Sequence, residues 1–189
     1  MVQTRNLEQY KIIHQSQAYG QGAAKTRRRI GPWVVLKRPL SMLDYGAGRS
    51  KMVDLINSPG LSVRHRFDPA ISEIATVPLS SYDLVTCTDV LEHLDESEIN
   101  QVLAHIKSLS AAAIIAADTR PASTVLPSGE NAHATVQPPE WWQRKIEAIF
   151  GCGELIHVSG TSAIFRTWHA TPLDTAKAFW VRFTNKSEF

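Results

Sequence analysis

The spacing of apolar residues changes several times along this chain, and each change marks a new element. From Leu7 through Tyr10, Ile12 and Ile13 the apolar side chains recur at helical spacing, until Tyr19-Gly20-Gln21-Gly22 breaks the pattern. Ile30 to Leu36 predicts a second, short apolar helix, which Pro39 closes by forcing the residue before it out of helical backbone. Ser41 to Tyr45 is a short apolar run that carries Asp44 and leads into Gly46-Ala47-Gly48, the pattern of a strand ending in a tight turn. Lys51 to Ile56 predicts a short helix terminated by Asn57-Ser58-Pro59-Gly60, and Leu61 to Phe67 predicts a second strand. Ile74 to Val77 supports only a short third strand, with little room for a helix after Asp68, so the sheet is expected to be trimmed on that side. Leu84 to Thr88 is a continuous apolar run and predicts a fourth strand buried on both faces.

The second half alternates in the same way. Asp95 and Glu98 form a capping box ahead of a helix whose apolar positions are Ile99, Val102, Leu103, Ile106 and Leu109. Ala111 to Ala117 predicts the fifth strand, and residues 121–137 form a long loop carrying Ser123, Thr124, Asn131 and His133. Pro139 starts a helix that stops at Gly151, and Glu154 to Val158 with Ala163 to Trp168 predicts an antiparallel hairpin around Ser159-Gly160-Thr161. Thr171-Pro172-Leu173-Asp174 starts a terminal helix with Leu173, Ala176, Trp180 and Phe183 on one side, suited to packing on the body, to a dimer contact or to a lid. Strands alternating with helices predict an α/β fold, a doubly wound, mostly parallel sheet with a C-terminal antiparallel hairpin.

Composition narrows this picture. A chain of 189 residues with 43% hydrophobic content fits one domain over 1–189, with a helical cover (1–39), a core (40–168) and a helical tail (169–189). The net charge of +2 is too small to point to nucleic acid, and the cluster Lys25, Arg27, Arg28 and Arg29 reads as a solvated helix face. Cys87 and Cys152 form neither a Cys-x-x-Cys pair nor a disulfide framework, and no run is long enough to span a membrane or to serve as a signal-peptide core, so a cytoplasmic monomer or homodimer is expected.

The chemistry gathers behind three strands. A Gly-x-Gly turn after a strand brings backbone close to a ligand, but it also occurs in dinucleotide-binding folds and in plain turns. Asp68 follows the second strand about 20 residues on, where a ribose-binding acid is expected if the turn holds a nucleoside. Asp83-Leu84-Val85 and Val90-Leu91-Glu92-His93 then deliver an acidic, histidine-bearing turn. In this order the three stretches resemble the class I S-adenosylmethionine-dependent methyltransferases, over roughly Leu40 to Trp168. Ser50 stands where the fuller motif has a third glycine, and Ile74 to Leu79 lacks the acid that usually meets adenine. The resemblance implies S-adenosylmethionine as cofactor, held by Asp44, Gly46, Ala47, Gly48 and Pro69, with Asp68 on the ribose. It further implies Thr88, Asp89 and Val90 near the transferred methyl group and Tyr19 at the methionine end.

Asp89, Glu92 and His93 are spaced i, i+3 and i+4, so a helix from Val90 onward puts all three on one side, and His133 can join them from the long loop. Such a set suits a divalent cation, Mg²⁺ or Mn²⁺ for the oxygen ligands and Fe²⁺, Co²⁺ or Zn²⁺ for the histidines. It resembles the metal site of the small-RNA 3′-terminal 2′-O-methyltransferases and of the ubiquinone-biosynthesis O-methyltransferases, with Asp89 in place of the first glutamate of Glu-x-x-Glu-His. A metal-free base, His93 or His133 assisted by Glu92, and a purely structural role stay open beside it. His14, His65, His105, His157 and His169 are assigned to surface or core, and of the adjacent Trp141 and Trp142 one packs while the other is free to stack on a substrate. The expected activity is O-methylation of a small-molecule hydroxyl. The alternatives are an RNA or nucleotide ribose methyltransferase, a nicotinamide-dependent oxidoreductase, and a cofactor-binding partner subunit without catalysis.

Overall fold

Six strands form one sheet with helices on both faces, in a computed structural model that describes residues 6–15 and 23–184, with the main chain alone at 23–25. The strands are β1 (Ser41–Tyr45), β2 (Val63–Phe67), β3 (Leu84–Thr88), β4 (Ala113–Asp118), β5 (Glu154–Val158) and β6 (Ser162–Arg166), in the order β2-β1-β3-β4-β6-β5. β1 to β4 pair in parallel, and β6 runs antiparallel to both β4 and β5. The doubly wound, mostly parallel sheet with its C-terminal antiparallel hairpin is therefore as the apolar pattern predicts.

Alternate strand residues face opposite cores, which is why the apolar runs are continuous. Met42, Leu84, Ile114 and Ile164 pack on Ile30 and Val34 of α2 (Ala23–Lys37), Met52 and Val53 of α3 (Met52–Leu55) and Ala178 of α6 (Pro172–Thr184). Leu43, Val85, Ile115 and Phe165 pack on Leu103 and Ile106 of α4 (Glu96–Leu109) and Trp142 and Ile146 of α5 (Pro139–Phe150). The Asp95–Glu98 capping box is formed, and α5 ends at Gly151 with φ 81°, a left-handed cap that glycine adopts without strain. Trp142 is fully buried, whereas Trp141 is half-buried with the Lys145 ammonium over its ring.

Two expectations are corrected. Ile74 to Val77 is not a strand: a 3₁₀ turn spans Ser72–Ile74, the Asp68 N–H donates to the Ile74 carbonyl (3.0 Å), and β2 is the edge of the sheet. The segment between β2 and β3 is too short for another strand and two parallel crossovers, each of a dozen or more residues. On α6 the stripe Leu173, Trp180 and Phe183 faces away from the body, with 62%, 67% and 54% of each side chain exposed, and Ala178 makes the buried contact. Against α2, the small side chain lets the two helices approach closely. Residues 16–22, including the glycine break and Tyr19, lie outside the described residues. Among the described residues, no helix is long and apolar enough to cross a membrane.

Candidate active site

β1 and its neighbour β3 send their chain onward to opposite faces of the sheet, through α3 and α4 respectively, and the divergence opens a crevice at their carboxyl ends. The crevice is a cleft of about 720 Å³, and every described residue singled out above for cofactor, metal or base borders it: Asp44, Gly46, Ala47 and Gly48 on β1 and its turn, Asp68 and Pro69 after β2, Thr88, Asp89, Val90, Glu92 and His93 after β3, and His133 on the long loop.

The glycine turn is dictated by its neighbours. Gly46 has φ 71°, and a Cβ there would come within 2.4 Å of Val90 Cγ2, so the turn can close on Val90 only without a side chain. Its amides are not offered to a ligand. The Gly46 and Ala47 N–H groups donate to the Phe67 carbonyl (2.7 and 3.0 Å), and the Gly48 N–H donates to Asp68 Oδ2 (2.8 Å). Asp68 Oδ1 accepts the Ala70 N–H (2.9 Å), which locks the turn to the end of β2. A carboxylate accepts about four hydrogen bonds, so Asp68 keeps capacity for a ligand's hydroxyls. Beneath the turn, Asp44 is buried and accepts the Thr86 hydroxyl (2.8 Å); burial pushes its carboxyl up to about 7, with Thr86 opposing and the nearby Asp89 adding to the rise.

Asp89 takes left-handed backbone (φ 57°), unusual for a residue with a side chain, and the chain after it forms a single 3₁₀ turn at Leu91–His93. The helix assumed from the i, i+3, i+4 spacing is absent, and the expected four-residue set divides in two. One ligand-capable atom from each of Glu92, His93 and His133 lies within 4.8 Å of the others, and the same holds for Asp89, Glu92 and Asp118. Glu92 belongs to both sets and is fully buried. Its Oε1 accepts the Asp118 N–H (2.9 Å), while Oε2 has no hydrogen-bond partner among the described residues. Burial, and then Asp89, hold its carboxyl well above the usual range. Asp89 is raised to about 6 by burial and by Asp118.

Main-chain carbonyls fix both histidines. His93 Nδ1 lies 2.9 Å from the Ala132 carbonyl, and His133 Nδ1 meets the Arg120 carbonyl. Because a carbonyl only accepts, Nδ1 carries the proton in each ring and Nε2 holds the lone pair. Burial lowers His93 to about 4, so it is neutral at pH 7. Overhead, α1 (Leu7–His14) presents Leu7, Tyr10 and His14 to the cleft. Tyr10 donates its hydroxyl to the Ala132 carbonyl (3.0 Å) beside His93 Nδ1 (3.0 Å), Arg49 Nε donates to the His14 carbonyl (2.7 Å), and the Ser128 N–H donates to Gln9 Oε1 (3.0 Å). The helix thus ties the glycine turn to the long loop.

Several residues on the cleft were not singled out in the sequence. Asp118 ends a parallel strand at the same edge as Asp68 and Asp89, a position that could have marked it. Tyr10 carries no local signal. His14 and His105, assigned to surface or core, also border the cleft, His105 beside the Tyr45 hydroxyl (2.9 Å). Five carboxylates line the cleft and, among the described residues, no lysine or arginine does; Arg27, Arg28 and Arg29 lie elsewhere, on α2. The trio Cys152, Glu154 and His169 is engaged in another way, since Glu154 pairs with both Arg166 and His169.

No protein-family model and no curated protein matches the chain. Solved structures do match. An O-methyltransferase family protein from Burkholderia thailandensis shares 14% identity at a TM-score of 0.61, over 79% of this chain and 57% of its own. Human N-acetylserotonin methyltransferase in complex with S-adenosylmethionine gives 14% and 0.59, over 88% and 60%. The 1,6-didemethyltoxoflavin N1-methyltransferase of B. thailandensis, with bound 1,6-didemethyltoxoflavin and S-adenosylhomocysteine, gives 13% and 0.51, over 85% and 87%. The chain spans less than two thirds of the length of the first two. At these identities the likeness shows the fold, which is that of the class I S-adenosylmethionine-dependent methyltransferases.

Proposed function

We propose that this chain, built on that methyltransferase fold, transfers a methyl group from S-adenosylmethionine to a hydroxyl of a small molecule. What supports this reading is that the glycine turn locked to Asp68 and the group Glu92, His93 and His133 border one cleft, the first suited to the methyl donor and the second to activating the acceptor. Two of the matched structures contain S-adenosylmethionine or S-adenosylhomocysteine, which supports the same cofactor here.

S-Adenosylmethionine brings an activated carbon: as the acceptor oxygen forms its C–O bond the C–S bond breaks, and the sulfonium leaves as a neutral thioether. The chain's residues align the partners and make the acceptor nucleophilic. Asp68 receives the ribose hydroxyls, and the cleft beside the glycine turn admits the methionine part. Asp44 and Asp89 supply negative charge toward a cationic ligand. A hydroxyl needs help to lose its proton, and Glu92, His93 and His133 provide it where the transferred carbon is delivered. The anionic lining opposes phosphate-bearing acceptors, which favours a small molecule over RNA.

The test is incubation with methyl-labelled S-adenosylmethionine and either catechols, other small alcohols or an RNA oligonucleotide. Label on a small hydroxyl compound, lost in Glu92→Gln, is the expected result. Label on RNA alone refutes the small-molecule reading, and tight cofactor binding with no transfer to any acceptor favours a non-catalytic subunit.

A further inference from the structure

α6 reverses the usual orientation of a helix on a sheet. Such a helix buries its apolar stripe, as α4 does with Ile99, Val102, Leu103, Ile106 and Leu109, whereas α6 buries only Ala178 and leaves Leu173, Phe179 and Trp180 62%, 66% and 67% exposed. At helical spacing these three, together with Phe183, whose ring centroid lies 4.6 Å from that of Phe179, occupy the side opposite Ala178. Lys177 and Arg182, both exposed, fall on the two borders of that side. The charge beside the stripe has one sign. α2, which packs beside α6 around Ala178, contains no acid and exposes Arg28. Arg29 of α2 and Arg182 of α6 come together at one end: after burial, their guanidinium groups hold the His157 imidazole below its usual value. The one acid of α6, Asp174, is taken up at the helix start, where it accepts the Thr171 N–H (2.9 Å) and hydroxyl (2.7 Å).

We propose that the outer face of α6 docks on the surface of an anionic lipid bilayer, with α6 in the plane of the interface, Phe179 and Trp180 among the acyl chains, and Lys177, Arg182 and the neighbouring Arg28 at the headgroups. An apolar face of Trp, Phe and Leu bordered by Lys and Arg is the composition of a helix that lies in a membrane interface, and long basic side chains reach outward from such a face to phosphate. A second copy of the chain fits this face less well. Phe179, Trp180 and Phe183 carry about 200 Å² of side-chain surface each and expose about 400 Å² together, against about 800 Å² per partner in a stable interface. A two-fold contact would also set the basic borders of both copies against each other. His157 adjoins the β5–β6 turn, and Thr161 in that turn borders the cleft, so the docked face meets the edge of the sheet at which the cleft opens. The docking surface is independent of the methyl-transfer reading, since α6 lies outside the 40–168 core.

The experiment is co-sedimentation of the full chain with vesicles of phosphatidylcholine, alone or mixed with phosphatidylglycerol, followed also by tryptophan emission. Binding to the mixed vesicles is expected to be about tenfold stronger or more than to phosphatidylcholine and to weaken as salt is raised. Emission should shift to the blue on binding, because Trp180 is exposed while Trp33 and Trp142 are buried. Phe179→Ser combined with Trp180→Ser should weaken binding about tenfold or more, and Lys177→Gln and Arg182→Gln about fivefold each. Trp180→Phe should still bind but lose most of the blue shift. All four side chains are exposed, so these variants should keep the wild-type circular dichroism. No binding to mixed vesicles, equal binding to both kinds, or binding unchanged in the double-serine variant overturns the proposal. A chain that ignores vesicles, is dimeric by sedimentation equilibrium and becomes monomeric in the double-serine variant also overturns it and assigns the face to a second copy.

Discussion

Asp44 stores negative charge beneath the glycine turn at a cost in stability, and Asp44→Asn should release that cost. The carboxyl is 2% exposed, it accepts a hydrogen bond from the Thr86 hydroxyl, and burial raises it from an ordinary value near 4 to about 7. With the folded value above the unfolded one, the native state holds a proton between pH 4 and 7 that the unfolded chain has released. Stability therefore falls as pH rises through this window, by about 1.4 kcal/mol per unit and about 4 kcal/mol in all. Asparagine keeps the acceptor for Thr86 and removes the charge, so the variant is expected to match the wild type at about pH 3, below both values, and to exceed it by about 3–5 kcal/mol at pH 8. Urea denaturation of the cofactor-free protein at several pH values measures the difference. With the cofactor placed as proposed, the same variant should bind S-adenosylmethionine more weakly, since the cleft loses one carboxyl group. Parallel stability curves for the two proteins would refute the assignment of a buried, proton-holding Asp44.

Gly46→Ala should destabilise the fold by about 2–5 kcal/mol, from left-handed backbone and from overpacking against Val90. Adding Val90→Ala should recover the packing part and leave the backbone part, as a double-mutant cycle by denaturation will show; no recovery removes Val90 as the obstacle. Tyr10→Phe should loosen α1 without unfolding the sheet. Loss of its hydroxyl contacts to Ala132 and His93 is worth about 1 kcal/mol, so the amides of residues 7–14 should exchange about fivefold faster, and unchanged exchange makes that contact incidental.

Elements specified by neighbours in sequence are legible in it. β3 shows as a run of apolar and β-branched residues without a charge, the Asp95–Glu98 box needs only its own three-residue spacing, and Gly46 and Gly48 mark a turn because glycine accepts positive φ. Ile74 to Val77 misleads because an apolar run says nothing about whether the chain has length enough to cross over and pair. The geometry after β3 misleads because i, i+3, i+4 spacing assumes helix, whereas the left-handed Asp89 sends the chain into a 3₁₀ turn and places Asp89 beside Asp118. The contact between Tyr10 and His93 spans 83 positions, and the use of the glycine-turn amides by Phe67 and Asp68 depends on pairing between separate strands. No local pattern encodes either.

The most direct measurement is calorimetric titration of S-adenosylhomocysteine into the wild-type protein and into Asp68→Ala. One molecule bound per chain is expected, with affinity reduced roughly 10- to 100-fold in the variant, the equivalent of losing charge-assisted hydrogen bonds worth about 1.5–3 kcal/mol. No binding to the wild type, or equal binding by the variant, would contradict the placement of the cofactor between the glycine turn and Asp68.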